Sequence, residues 1–164
     1  MTNPSYGSDA SLSLFLIEDD STLGHILRAL LTNKGYDVHW ARDGREAAYA
    51  ISTILPPRIV LLDLMLPFVD GFELLSLMRV QPGWTDIPAL VLSGRSMEAD
   101  IIRTFTMGAG DFLRKPFNPA ELIARLSRLL APHPRRMAPE SAAPAHGQNY
   151  GDRVTNVQFN RPVL

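Results

Sequence analysis

The chain has 164 residues, 46% hydrophobic and 20% charged, with no cysteine and a formal net charge of −1. That length holds one domain and a tail, and the lack of cysteine excludes a disulfide framework and any thiolate metal site. Residues 1–131 carry 12 basic against 15 acidic side chains, and residues 132–164 carry 4 against 2, so neither part has the basic excess of a nucleic-acid-binding domain. The opening MTNPSYGSDAS lacks the basic-then-apolar pattern of a secretory signal. No apolar run approaches the roughly 18 residues of a membrane span. A cytoplasmic protein is expected.

In chain order, Leu12–Ile17 reads as a buried strand and Thr22–Asn33 as a helix with Leu23, Ile26, Leu27, Leu30 and Leu31 at helical spacing, stopped at Gly35. Asp37–Ala41 is a short strand. Asp43 then caps a helix running to Ile54, with Glu46 placed for a capping box. Ile59–Leu62 is solidly aliphatic, as a strand covered on both faces should be. Asp70 caps Gly71–Met78, with Glu73 at the matching third position. QPGWTDIP is a turn-rich connection into the strand Ala89–Leu92. Ser96–Met107 is an amphipathic helix expected to turn Met97, Ile101, Ile102 and Phe105 inward, closed by Gly108. Asp111–Arg114 is a brief strand, and Asn118, Pro119 and Glu121 open a last helix to Ala131. Five strands alternating with five helices make a doubly wound α/β fold around a parallel sheet.

Sites in open parallel sheets form outside the carboxyl ends of the strands. Here those ends carry Glu18, Asp19 and Asp20, then Asp63, then Ser93, then Lys115. Arg outnumbers Lys fourteen to two, so a lysine at 115 points to a need for a compact ammonium. Clustered carboxylates repel and raise one another's pKa unless a cation neutralises them, and magnesium accepts such oxygen ligands. Carboxylates, a hydroxyl and an amine at one edge suit aspartyl phosphorylation, with Asp63 as nucleophile. Asp20 reads as the cap of the first helix. Ser93 taken alone is equally a strand-end hydroxyl bonded to backbone.

The acidic cluster Glu18–Asp20, the D-x-x-x-P-x-x-D-G stretch from Asp63 to Gly71, Ser93-Gly94 and Lys115-Pro116 together resemble the receiver domain of CheY-like response regulators in bacterial two-component signalling. The resemblance spans residues 12–131. It implies a flavodoxin/CheY-like sheet of order 2-1-3-4-5 and a phosphoryl group accepted on Asp63 from a sensor histidine kinase or histidine phosphotransfer protein. It implies Mg2+ held by Asp19, Asp63 and the backbone carbonyl of Met65, with Glu18 acting through water. Ser93 and Lys115 would contact phosphoryl oxygens, and the Lys115–Pro116 peptide would be cis. Ser93 and Phe112 occupy the switch positions, Phe112 replacing the commoner Tyr. The kinase would dock near Leu23, Ile26 and Leu27. Such a domain is a signalling phosphoacceptor that assists its own phosphorylation and dephosphorylation, not a turnover enzyme. Met65 and Arg95 flank the site and predict a phosphoryl half-life longer than seconds.

KPFNPAELIAR (Lys115–Arg125) further resembles the OmpR/PhoB-like winged-helix branch, whose phosphorylated members form homodimers. Asp111, Glu121 and Arg125 match that branch's dimer face. The basic partner expected opposite Glu121 falls near Ile101, and an expected acid falls near Thr106. The domain map is a flexible N-terminus at 1–10, a receiver at 11–131, a Pro/Ala-rich linker at 132–152 and a short tail at 153–164. The tail, RVTNVQFNRPVL, resembles the opening strands of a winged-helix effector cut short. The chain then reads as a receiver, with a truncated front part of a DNA-binding regulator, or a non-phosphorylated receiver acting by binding alone, as alternatives. Direct DNA binding by these residues is not expected. A haloacid-dehalogenase-type enzyme would want an acid where Met65 stands, and a flavin module would want a phosphate cradle where EDDSTLG offers negative charge.

Overall fold

The computed structural model describes residues 12–94 and 97–131. In order they form β1 (Leu12–Ile17), α1 (Ser21–Asn33), β2 (Tyr36–Ala41), α2 (Gly44–Thr53), β3 (Ile59–Asp63), α3 (Gly71–Val80), β4 (Ala89–Ser93), α4 (Glu98–Thr106), β5 (Asp111–Arg114) and α5 (Pro119–Leu130). The strands make one parallel sheet of order β2-β1-β3-β4-β5, as expected. Expectations that fall on residues 1–10, on Arg95, on the linker 132–152 and on the tail 153–164 lie outside the described residues.

Side chains alternate across a strand, so each aliphatic strand feeds two cores. Phe15, Ile17, Val60, Leu62 and Val91 pack on one face with Ala47 and Ile51 of α2 and Leu74, Leu75 and Met78 of α3. Leu14, Leu16, Leu61, Leu90 and Leu92 pack on the other with Leu27 and Leu31 of α1 and Leu122 and Leu126 of α5. Four of the five helices start at the carboxyl edge of the sheet under a side-chain cap, and α4, with Met97 at its N-cap, has none. Asp20 accepts from the N–H groups of Thr22 and Leu23 at 2.9 and 3.1 Å. Asp70 and Glu73 complete a reciprocal capping box, and Asn118 accepts from Ala120 N–H at 2.8 Å. At α2 the box is displaced: Asp43 accepts from Glu46 N–H, but the Glu46 carboxylate takes the N–H of Arg42, not that of Asp43.

Three expectations change. α4 begins two residues later than its pattern indicated, and its apolar stripe faces outward: Met97, Ile102 and Phe105 are 66, 58 and 46% exposed. Thr104 is the buried residue of α4, and its hydroxyl donates to the Asp100 carbonyl at 2.7 Å. A small residue that satisfies its own hydroxyl lets the helix seat where a larger apolar side chain would stand it off. Second, Leu27 is 1% exposed and belongs to the core, so of the residues proposed for docking only Ile26 is exposed and Leu23 half-buried. Third, the connection QPGWTDIP supplies a core residue, because Trp84 is buried and meets Phe15 edge-on at 6.0 Å.

Arg79 at the end of α3 holds that connection in place. Its Nη1 donates to the carbonyls of Trp84, Thr85 and Ile87 at 3.2, 2.9 and 3.1 Å, and its Nη2 to that of Gly108 at 3.0 Å. Charge-assisted hydrogen bonds of one guanidinium to four carbonyls are expensive to remove. Arg79→Ala is expected to lower the unfolding free energy by about 2–3 kcal/mol in urea denaturation. A loss within experimental error of zero would mean that water replaces the guanidinium without cost.

Candidate functional site

The ends of β1, β3, β4 and β5 converge at the carboxyl edge of the sheet. Glu18, one residue past β1, is fully buried with its carboxylate. Its Oε1 accepts from Asp20 N–H at 3.3 Å and its Oε2 from Lys115 Nζ at 2.7 Å. Asp63, the last residue of β3, is buried, its Oδ1 accepting from Met65 N–H at 2.9 Å and its Oδ2 from Lys115 Nζ at 2.5 Å. One ammonium therefore bridges two buried carboxylates. Asp19 is exposed beside them, and Glu18, Asp19 and Asp63 each place an oxygen within 4.8 Å of the others.

Three acids share one lysine, and the charges do not balance. Burial pushes the Glu18 carboxyl above its ordinary range; Lys115 and the Asp20 N–H oppose this and the Asp63 charge adds to it. Burial alone would lower Lys115, but its bonds to Asp63 and Glu18 outweigh that and hold it above the usual lysine value. The donor set, all hard oxygen with an excess of negative charge, fits a divalent cation of the magnesium type.

Ser93 ends β4 and is fully buried. The Lys115 N–H donates to the Ser93 carbonyl at 2.8 Å, and the Lys115–Pro116 peptide is cis. Register pairs Val91 with Phe112 and Ser93 with Arg114, so alternation puts the half-buried Phe112 on the sheet face that Ser93 shares. The structure thus brings Glu18, Asp63 and Lys115 into direct contact, with Asp19 and Ser93 adjoining. The Met65 side chain is exposed. Asp20 stays outside the cluster as a helix cap.

Asp111, Glu121 and Arg125 also meet, but within one chain. Arg125 Nη1 grips both oxygens of Asp111 at 3.0 and 2.9 Å, while its Nη2 donates to Glu121 at 2.7 Å. Arg128, overlooked in the sequence, adds a bond to Asp111 at 2.7 Å. Its position three residues after Arg125, on the same helical face, was the available signal.

The carboxylate–ammonium cluster lies at the carboxyl edge of a five-stranded 2-1-3-4-5 sheet, where doubly wound domains place their sites. The profile of the response regulator receiver domain matches residues 14–127, and the chain belongs to that family. It is 38% identical over 117 residues to the DNA-binding dual master transcriptional regulator RpaA of Synechocystis, covering 71% of this chain and 48% of that protein. It is 36% identical over 142 residues to the response regulator MprA of Mycobacterium bovis, covering 87% and 59%. The chain spans about half the length of these curated relatives. Among solved structures it resembles the receiver domain of the sensor histidine kinase PA1611 of Pseudomonas aeruginosa, described with magnesium coordinated in the active-site cleft. That match has a TM-score of 0.67 and 28% identity over 74% of this chain and 98% of the other. The chemotaxis protein CheY4 of Vibrio cholerae matches at 0.69 and 28%, over 74% and 100%.

The Asp111 cluster has a pH signature. Burial alone would raise this carboxyl, but bonds from Arg125, the Phe112 N–H and Arg128 outweigh it and hold it below its ordinary 3.8. A depressed folded-state value stabilises fully above the ordinary range, and the gain is lost as pH falls through the lower folded value. Asp111→Asn is therefore expected to cost about 2 kcal/mol at neutral pH, with the gap to wild type narrowing below about pH 4. A gap that is flat from neutral pH down to about pH 2 would show that these bonds do not act through ionised Asp111.

Proposed function

We propose that this domain accepts a phosphoryl group on Asp63 and that Ser93 and Lys115 relay the change to a protein-interaction surface. The observation that carries this reading is Lys115 bridging buried Glu18 and Asp63 where three carboxylates converge. The donor is a phosphohistidine of a sensor histidine kinase or phosphotransfer protein, and exposed Ile26 of α1 belongs to its docking surface.

The Met65 N–H and Lys115 orient the two Asp63 oxygens, so the nucleophile is positioned before the donor arrives. One carboxylate oxygen forms a bond to phosphorus as the phosphorus–nitrogen bond of the donor breaks, and the imidazole leaves with the electron pair. Lys115 then shifts from carboxylate to phosphoryl oxygen, and the Ser93 hydroxyl donates to another. Asp19, Asp63 and the Met65 carbonyl would hold magnesium directly, with Glu18 behind a water. When bound, that ion neutralises charge on the phosphoryl oxygens. As Ser93 is drawn to the phosphoryl group, Phe112 on the same sheet face follows inward, which biases a pre-existing two-state surface.

Phosphorylation favours a homodimer through α4, β5 and α5, and the outward Ile102 and Phe105 support that reading. Asp111, Glu121 and Arg125 satisfy one another at home, so they would frame such a contact while the apolar stripe of α4 supplies its burial. The relatives named above support placing such a receiver ahead of a DNA-binding effector, while the domain itself makes no sequence-specific DNA contact.

Treatment with acetyl phosphate, read by intact mass, is expected to add one phosphoryl group that requires magnesium and is absent in Asp63→Asn. The adduct should persist longer than seconds, as exposed Met65 beside the site shields the attacking water. An unmodified but folded wild type would remove Asp63 from the mechanism or restrict it to a protein donor. In sedimentation, beryllofluoride with magnesium is expected to raise the dimer fraction, and Phe105→Asp to abolish the rise. A monomer in both states would sink the dimer.

A further inference from the structure

The segments that follow β1 and β3 at the acidic site are tied to the end of β2 and the start of α2. On the first loop, the Trp40 indole Nε1–H donates to the Glu18 carbonyl at 3.0 Å, and the Glu18 N–H donates to the Ala41 carbonyl at 3.2 Å. The peptide groups on both sides of Glu18, one of them leading into Asp19, are thus held by the end of β2. The indole reaches this place because position 24 is glycine: a Cβ there would collide with the ring. His25 packs edge-on at 4.9 Å, and the Arg42 guanidinium lies 4.8 Å above the ring centroid. The fixed indole is a rigid donor.

On the second loop, five residues after Asp63, Phe68 has a φ of 73°. The Val69 N–H donates to the Pro67 carbonyl at 3.0 Å, closing a three-residue turn around Phe68. A positive-φ turn of this kind is rare and costly for a bulky residue, and persists only where the surroundings hold it. α2 supplies those surroundings. The Gly44 N–H donates to the same Pro67 carbonyl at 3.2 Å. The Arg45 guanidinium stacks 3.5 Å from the centroid of the Phe68 ring, which is otherwise 65% exposed. The strained turn and the first turn of α2 are locked together, and the Met65 carbonyl lies on the segment between that lock and Asp63.

We propose that the end of β2 and the start of α2 position the cation site: Trp40 fixes the Glu18–Asp19 loop and Arg45, through Phe68, fixes the loop bearing Met65. Trp40, Arg45 and Phe68 are positioning residues, touching no reacting atom. Groups that orient metal ligands from behind usually change metal affinity by about tenfold or more when removed. The inference rests on the reading of Asp19, Asp63 and the Met65 carbonyl as magnesium ligands.

The test is a titration of the whole chain with magnesium chloride, followed by amide NMR shifts, alongside thermal unfolding. Trp40→Phe keeps an aromatic ring and removes the donor; Phe68→Gly removes the stack and also the backbone strain. Each is expected to weaken magnesium about five- to tenfold. The Tm of Phe68→Gly should equal or exceed that of wild type, since glycine adopts positive φ freely. Arg45→Gln should weaken magnesium in the wild-type background and add nothing in Phe68→Gly. Magnesium affinities within twofold of wild type in Trp40→Phe and Phe68→Gly would overturn the proposal, whether or not their Tm changes. A wild type that binds no magnesium would instead overturn the reading of the ligands, and this inference with it.

Discussion

Glu18, Asp19 and Asp63 place oxygens within 4.8 Å of one another and have a single ammonium, Lys115, among them. Everything else at the carboxyl edge of the sheet follows from that imbalance. Burial makes the Glu18 carboxylate costly to ionise, so this carboxyl is pushed upward even with Lys115 against it. The same imbalance makes the site receptive to a divalent cation. Under the proposed reading, a dianionic phosphoryl group arriving beside three carboxylates would add to the same excess of negative charge. Under that reading Lys115 would exchange a carboxylate oxygen for a phosphoryl oxygen, which offers it a similar bond.

The sheet is what makes the cluster affordable. Strands aliphatic on both faces, such as Ile59–Leu62, anchor the acids at fixed heights, and the helix caps Asp20, Asp70 and Asn118 turn the chain away at once. Glu18 and Asp19 consequently sit on a short, tightly bonded loop, and Asp63 on the end of β3 itself. Where the backbone departs from ordinary geometry, as at Phe68, a neighbouring helix holds it.

Features governed by local chemistry were legible in the sequence. Aliphatic runs marked the strands, Asp and Asn with their following residues marked the helix starts, and the order of acids, serine and lysine along the strand ends marked Asp63, Ser93 and Lys115. Features decided by tertiary fit were not. Trp84 sits in a turn-rich connection and gives no periodic signal, yet fills the core against Phe15. Trp40 reads as an ordinary strand aromatic until its indole meets the Glu18 carbonyl. The pattern of α4 assigned its apolar stripe to the core, because periodicity locates a stripe without saying which way it points.

That reversal bears on how the domain can switch. α1, α2, α3 and α5 each bury at least two residues in the sheet, whereas α4 buries Thr104 alone and leaves Ile102 and Phe105 in solvent. A helix with so little core commitment lies at the low-stability end of the structure, where rearrangement costs least. In chain order it follows β4, whose last residue is Ser93, so it is the first helix that the proposed pull on that hydroxyl would reach. The charged side chains of α5 behave in the opposite way, since Arg125 and Arg128 are already committed to Asp111. Of the five helices α4 therefore has the least packing to lose on moving, and its exposed Ile102 and Phe105 are the surface that such a movement would re-aim.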